Sequence, residues 1–367
     1  MQKVSVIGIG RLGLCFSLTL EKAGYDVVGC DISPEYVSQI NNKSLKSTEQ
    51  GVEDFLKVAT NFEATVDIEK TLHHSDVLFA VVATPSLKDG RYDHSQIDNL
   101  VETLKSFGTQ KDHKHLVICC TTMPGYCDTV QERLEGYNYT VSYNPEFIAQ
   151  GTILRDQSRP DMVLIGEGSK EAGDLIQSIY EGHTISNPKI CRMSRTEAEI
   201  CKIALNCFVT TKISFANMVG DIVIKSGGDP HVVLEAIGND SRIGTRYLGH
   251  GFGYGGPCFP RDNRALGIYA ADIEMPSDIS SATDSINQKH LTFQISSFIS
   301  QNDIKDPVVL ETITYKPGTT IIEESQQLAF AVGIARAGYS VKIIEHQDTI
   351  RQVQDLYGDL FEYEERQ

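Results

Sequence analysis

Positive charge is scarce: 33 Lys and Arg face 49 Asp and Glu across 367 residues, a formal net charge of -16. A general basic footprint for nucleic acid or an anionic membrane is therefore missing, and any anionic ligand must be gripped by a local device. No pair of the nine cysteines has the C-x-x-C spacing of a zinc or redox site, so the thiols read as reduced and mostly buried, and no metal site is expected. No run reaches the roughly 18 uninterrupted apolar residues of a membrane-spanning helix, and Met1-Gln2-Lys3 leads straight into a strand-like segment without a cleavable apolar region. These absences predict a cytoplasmic protein with neither nucleic acid nor membrane as partner. What is present is ordinary globular material: 41% apolar residues, enough for solid cores, over a length that suits two to three domains.

The first half alternates short apolar runs with helix-like segments. Val4–Ile7 is followed by a Gly-rich turn, an apolar-periodic stretch from Leu12 to Ala23, Gly24, and a second run from Asp26 to Cys30 that ends at Asp31. Further runs lie at 76–83, 115–120, 139–143 and 161–166, the texture of a parallel, doubly wound α/β sheet. Ser194-Arg195-Thr196-Glu197 then has capping-box spacing, and no Gly or Pro interrupts the chain before Gly220, which predicts one long helix of roughly 45–50 Å that bridges domains or forms a subunit interface. A mostly helical region follows to about residue 300. From Pro307 an α/β pattern returns, with a strand over 308–313, a helix over 325–337, a strand over 341–345, and one more helix in the tail from Gln347. The division reads as 1–193, 194–304 and 305–367.

Three segments carry chemistry. Gly8-Ile9-Gly10-Arg11-Leu12-Gly13 lies between a strand and a helix, and Asp31 ends the next strand. Gly8 makes the tight turn, Gly10 lets backbone approach a pyrophosphate, Gly13 lets helix and strand pack closely, and the helix N-terminus offers N–H groups to phosphate, which is the Rossmann fingerprint. A carboxylate at position 31 accepts from a ribose 2′-hydroxyl and repels a 2′-phosphate, so NAD is favoured over NADP. Thr84-Pro85 and Thr121-Thr122 follow two further strands, at the ends where ligands of open α/β sheets lie. Second, Gly251-Phe252-Gly253-Tyr254-Gly255-Gly256-Pro257-Cys258-Phe259-Pro260-Arg261-Asp262 joins a glycine-rich stretch to a cysteine placed where Pro257 can open a helix, a setting that suits a nucleophilic thiol. Third, Lys202 and Asn206 share one face of the long helix, and Lys212 and Asn217 follow along it.

These segments, together with Asn144-Pro145-Glu146-Phe147-Ile148-Ala149-Gln150-Gly151, Ala198-Glu199-Ile200-Cys201-Lys202 and Asp240-Ser241-Arg242-Ile243-Gly244, give the chain a sequence that resembles the UDP-glucose/GDP-mannose dehydrogenase family from residue 1 to about 345. The Cys-Phe-Pro-Arg-Asp wording is more similar to UDP-glucose 6-dehydrogenases than to the N-acetylhexosamine branch, which usually has His where Pro257 stands. The resemblance implies a four-electron oxidation of a nucleotide-sugar alcohol to a carboxylate with two NAD⁺ in turn, through a thiohemiacetal and a thioester on Cys258. It implies that Lys202 and Asn206 stabilise the oxyanion, that Asp262, Thr122 and Glu146 hold or activate water, and that Glu146 is a candidate general base. It places Phe147, Ile148, Tyr247, Gly251, Phe252, Gly253 and Gly255 around the substrate, with the glycine N–H groups toward the pyrophosphate. Lys316 matches a substrate-binding lysine, and Arg242 is donated across a homodimer formed by the central helical domain.

The family's usual Asp-Asp-x-Arg-x-Ser reads Thr320-Ile321-Ile322-Glu323-Glu324-Ser325 here, Gln150 replaces a usual Glu, and the C-terminal Rossmann-like domain is expected to be abbreviated, lacking strands and a substrate-contacting arginine beyond its β-α-β unit. The leading expectation is oxidation of UDP-glucose to UDP-glucuronate for polysaccharide synthesis. The same chemistry on UDP-N-acetylhexosamine, GDP-mannose or a GDP-heptose stands beside it, then a two-electron β-hydroxyacid dehydrogenase, then a non-enzymatic relic of the cofactor fold.

Overall fold

Strands and helices alternate through the first 194 residues of the computed structural model, which describes residues 1–148 and 151–366. In order they are β1 (Lys3–Ile7), α1 (Arg11–Lys22), β2 (Asp26–Cys30), α2 (Pro34–Asn41), α3 (Val52–Val58), β3 (Phe62–Thr65), α4 (Ile68–His74), β4 (Val77–Ala80), α5 (Ser95–Ser106), β5 (Lys114–Ile118), α6 (Tyr126–Arg133), β6 (Tyr139–Tyr143), α7 (Ile153–Ser158), β7 (Met162–Glu167), α8 (Lys170–His183) and β8 (Lys189–Ser194). They build one sheet of order β3-β2-β1-β4-β5-β6-β7-β8. Val4 and Val6 of β1, Val77 and Phe79 of β4, and Val163 and Ile165 of β7 join one core, whereas Ile7, Leu78, Ala80 and Leu164 join another. Successive side chains leave a strand on opposite faces, so the two cores are the two faces of a sheet covered on both sides. Several helices begin where a short polar side chain accepts from their first turn: Ser33 before α2, Asp67 before α4 and Ser169 before α8.

The sheet departs from an all-parallel reading at one joint. β6 and β7 pair antiparallel through Tyr143 and Gly166, and β7 and β8 then pair parallel to one another. Burial on both faces makes a strand apolar whichever way it runs, so its direction is not written in its composition. The edge strands β3 and β8 have no fully apolar run, because an edge is only half covered, and they escape a reading by hydrophobicity.

The chain divides into two compact units, Met1–Lys202 and Ile203–Gln367. Helix α9 (Arg195–Lys225) contains this boundary. Its start is the expected capping box, with Ser194 N and Oγ both donating to Glu197 Oε2, at 2.8 and 2.7 Å. At 1.5 Å per residue it is about 46 Å long. By length and composition α9 is also the one described helix able to cross a membrane. Its polar positions are nevertheless matched to protein: Ser214 Oγ donates to the Thr283 carbonyl at 2.9 Å, and Asn217 Oδ1 accepts from Gly251 N at 3.0 Å.

The second unit continues with α10 (Pro230–Gly238), α11 (Phe259–Asp272), α12 (Asp278–Gln301), β9 (Val308–Leu310), α13 (Gln326–Arg336), β10 (Val341–Glu345), α14 (Gln347–Tyr357) and β11 (Glu362–Glu365). β9 is shorter than the expected 308–313 strand, and the tail is more than a helix, because β11 pairs parallel with β10 in a sheet of order β11-β10-β9. Ile313, Phe330, Ile334, Ile343 and Val353 form its core. The 194–304 and 305–367 segments thus share the second unit apart from the first turns of α9.

Candidate active site

β1 ends at Ile7 and α1 begins at Arg11, so Gly8, Ile9 and Gly10 make the entire turn. Gly8 has φ +87°, and a Cβ on it would lie 2.4 Å from the Val81 carbonyl oxygen. A Cβ on Gly13 would lie 2.0 Å from the Gly8 carbonyl oxygen. Both glycines are demanded by the protein's own packing. Gly10 is different, because a Cβ there would meet nothing within 4 Å among the described residues, and none of their side chains caps α1. Its bareness leaves the helix N-terminus open to an anion. Ile9 is buried in the core and Leu12 packs against it, so these two reach a ligand only through backbone, while Arg11 is exposed. Asp31 follows β2, half-buried, with Oδ1 accepting from Ser33 N at 3.1 Å. An open helix start with a carboxylate at the next strand end fits a dinucleotide.

The ends of β4 and β5 are tied together: Thr84 Oγ1, buried, donates to the Thr121 carbonyl at 2.8 Å, and Pro85 beside it is exposed. Thr122 is fully buried and its hydroxyl donates to Glu199 Oε1 at 2.8 Å, so its proton is committed to protein. Glu199 was not anticipated as a functional residue. Its carboxylate also accepts from Gly125 N at 2.6 Å and Cys127 N at 2.9 Å, capping α6 and pinning the loop after β5 to α9. Burial raises its pKa despite those bonds. The available signal was spacing, since Glu199, Lys202 and Asn206 recur at i, i+3 and i+7 on one helix face.

Glu146 lies just past β6. Desolvation pushes its carboxyl up to about 7, against the opposing pull of a hydrogen bond from Tyr180 Oη at 3.2 Å and the nearby Lys202 charge. Lys202 Nζ, buried, donates to the Glu146 carbonyl oxygen at 2.8 Å and stands 4.5 Å from the Phe147 ring centroid. Phe147 and Ile148 pack against opposite faces of the large sheet. Gln150 lies outside the described residues.

In the second unit, Asn206 Nδ2 donates to Asp262 Oδ2 at 2.6 Å, with both side chains buried. Cys258 is the N-cap of α11 and its thiol is exposed, whereas Cys15, Cys119, Cys127 and Cys207 are buried and held protonated by desolvation. The proline in the first turn is Pro260, not Pro257. Asp262 N bonds to the Cys258 carbonyl at 2.8 Å, so the carboxylate and the thiol belong to one helical turn.

The glycine-rich segment is closely packed against its surroundings. Gly251 N is already given to Asn217, and Gly256 N to the Glu323 carbonyl at 3.0 Å. A Cβ on Gly253 would sit 2.2 Å from Asn287 Oδ1, and one on Gly255 2.3 Å from the Glu324 carbonyl oxygen. Phe252 stacks edge-on with Phe330. Tyr247, exposed, holds φ +60° with its ring edge-on to Phe259. Arg242 is exposed and forks onto Asp240 at 2.9 and 2.7 Å, while Lys212 Nζ ties α9 to the Ile243 carbonyl at 3.2 Å. Lys316 is half-buried in a turn closed by the Thr314 and Thr319 hydroxyls on its carbonyl, and Glu323 is exposed.

The turn at Gly8–Gly13 with Asp31 behind it defines a dinucleotide-binding domain of the Rossmann type. Residues 2–184 match the NAD binding domain of the UDP-glucose/GDP-mannose dehydrogenase family, and residues 196–289 match that family's central domain. The chain is 31% identical over 355 residues to a UDP-glucose 6-dehydrogenase of Pseudomonas aeruginosa, spanning 93% of this chain and 78% of that one. It is 30% identical over 359 residues to a GDP-mannose 6-dehydrogenase of the same organism, spanning 94% and 81%. A UDP-glucose dehydrogenase from the hyperthermophilic archaeon Pyrobaculum islandicum shares the fold with a TM-score of 0.89 at 27% identity, covering 100% of this chain and 86% of that one. The chain belongs to the UDP-glucose/GDP-mannose dehydrogenase family, NAD-dependent oxidoreductases of nucleotide sugars.

Proposed function

We propose that this protein oxidises the C6 alcohol of UDP-glucose to the carboxylate of UDP-glucuronate. The observation that carries the reading is the exposed thiol of Cys258 at the head of α11, one turn from the buried Asn206–Asp262 pair. NAD, when bound at the Gly8–Gly13 turn, supplies the acceptor for each of two hydrides. An alcohol alone can be oxidised once. A thiol that adds to the resulting aldehyde makes a thiohemiacetal, which still carries a C6 hydrogen, keeps the aldehyde from escaping and becomes a thioester on the second oxidation. Water opens the thioester, giving in total the carboxylate, two NADH and three protons per alcohol and water consumed. Lys202 and Asn206, one turn apart on α9, donate to the oxyanion of these intermediates. Glu146, as base, takes the proton of the attacking water or alcohol, which its elevated pKa near neutrality suits. Arg242, Tyr247 and Lys316 serve the nucleotide sugar.

GDP-mannose is the second reading, since the GDP-mannose 6-dehydrogenase relative matches nearly as well. A panel of UDP- and GDP-sugars, read by NADH formation, tests both. Two NADH per UDP-glucose is expected, one NADH would sink the four-electron course, and turnover of GDP-mannose alone would move the assignment to the second reading. Cys258→Ser should stop acid formation while leaving NAD binding intact.

The protein is also proposed to be a homodimer through the central helical segment. Phe208 and Ile222 of α9, 67% and 58% exposed, leave an apolar face on a helix that polar residues otherwise anchor. Sedimentation at micromolar concentration should give twice the chain mass.

A further inference from the structure

The second unit contains a cluster that the dehydrogenase chemistry does not use. Asp221 on α9, His250 in the loop before the glycine-rich segment, and His290 on α12 bring one carboxylate and two imidazoles together, with their ligand atoms all within 4.8 Å of one another. His250 Nε2 is 3.0 Å from Asp221 Oδ1, and His290 Nδ1 is 2.8 Å from Oδ2.

Two further observations mark the cluster as built. Gly220 lies inside α9, where glycine is a poorer helix former than alanine, yet a Cβ there would come within 2.1 Å of the His250 ring, so the glycine seats that imidazole against the helix. His290 is buried, and its Nε2 lies 2.6 Å from the Gly251 carbonyl oxygen, an atom with no hydrogen to give. Nε2 therefore carries the ring hydrogen, and in the neutral ring Nδ1 turns a lone pair toward the carboxylate. Two acceptors at 2.8 Å require a positive particle between them. A proton on His290 can serve that one contact. A metal ion can serve all three groups at once, because His250 converges on the same carboxylate. An imidazole whose second nitrogen is held by a backbone carbonyl is the usual support of a metal-ligating histidine.

We propose that Asp221, His250 and His290 form a binding site for one borderline divalent cation of the Zn²⁺ class, with water completing the coordination. Bonds of about 2.0–2.1 Å in a tetrahedron put ligand atoms roughly 3.3 Å apart, so the 3.0 Å contacts of Asp221 Oδ1 with His250 Nε2 and His290 Nδ1 need only lengthen by a few tenths of an ångström to accept it. Gly251 gives its N–H to Asn217 and its carbonyl to His290 and Gln294. The ion would thus fix the start of the Gly251–Gly253 segment between α9 and α12, whichever sugar the enzyme prefers.

The test is calorimetric titration of ZnCl₂ into the chelator-stripped full chain whose exposed Cys258 has been alkylated, so that sulfur does not compete. One equivalent per chain is expected to bind saturably. Asp221→Asn and His250→Gln should each weaken binding at least tenfold, while His231→Gln, an exposed histidine on α10, should not. Zn²⁺ should raise the unfolding temperature of the parent and of His231→Gln but not of the other two, and Co²⁺ should give visible bands without sulfur charge transfer. His250→Gln, in a loop, keeps the test open should Asp221→Asn fail to fold. No saturable equivalent, or equal affinity in His250→Gln and parent, overturns the site and leaves a proton as the bridge.

Discussion

The first and last β-α-β units of the chain share an outline and differ at the start of the helix. Between β1 and α1 the chain spends only residues 8–10, leaves α1 without a side-chain cap, and puts at its head a glycine whose missing Cβ none of the described residues fills. Between β9 and α13 it spends residues 311–325 and closes the helix itself: Ser325 Oγ accepts from Leu328 N at 3.2 Å and donates to the Ile313 carbonyl at 2.7 Å. A helix N-terminus is available to phosphate only where the chain withholds its own cap. The two units are therefore not interchangeable cofactor sites, although a hydrophobic pattern cannot tell them apart.

This contrast can be broken at several points. The largest effect is expected at Glu146, a strand-end carboxylate of the first sheet with no role assigned to any counterpart in the last. In its proposed role as base it works only when ionised, so with its pKa near 7 the rate should fall as pH drops below 7, and Glu146→Gln should lose that limb along with about 10²–10⁴ in kcat. Retention of the limb in the variant would assign it to another group. Next, Gly13→Ala drives a methyl into the Gly8 carbonyl and should cost about 3 kcal/mol in urea unfolding. Gly10→Ala should unfold within about 0.5 kcal/mol of the parent yet raise the KM for NAD about tenfold, since its methyl points into space the protein leaves for pyrophosphate. Ser325→Ala is the smallest and the mirror image: about 1 kcal/mol of stability lost with the cap, and KM for NAD unmoved. Should Ser325→Ala disturb NAD, or Gly10→Ala collapse the fold, the distinction between open and closed helix starts fails.

Legibility followed locality. The β1-α1-β2 unit, the long helix with its capping box, and the thiol at a helix head are all readable because each signal lies within a few consecutive residues. β3 and β8 were missed because edge strands are only half buried, the reversal of β7 because burial does not record direction, and β11 because four mostly charged residues do not look like a strand. The polar tertiary contacts were the least legible. Glu199 reaches Thr122 across 77 positions, and Asp221 meets His250 and His290 across 29 and 69, so no spacing rule joins them. The packing of the glycine-rich segment was equally hidden, since at Gly253 and Gly255 the space a Cβ would take belongs to Asn287 and Glu324.

Tyr247 holds a bulky aromatic in left-handed backbone, a conformation that disfavours such a residue by roughly 1–2 kcal/mol and that glycine or asparagine adopts readily. A tyrosine in that backbone gives up stability for a ring set edge-on to Phe259, and Tyr247→Gly should relieve the strain, which the urea midpoint of the variant reads.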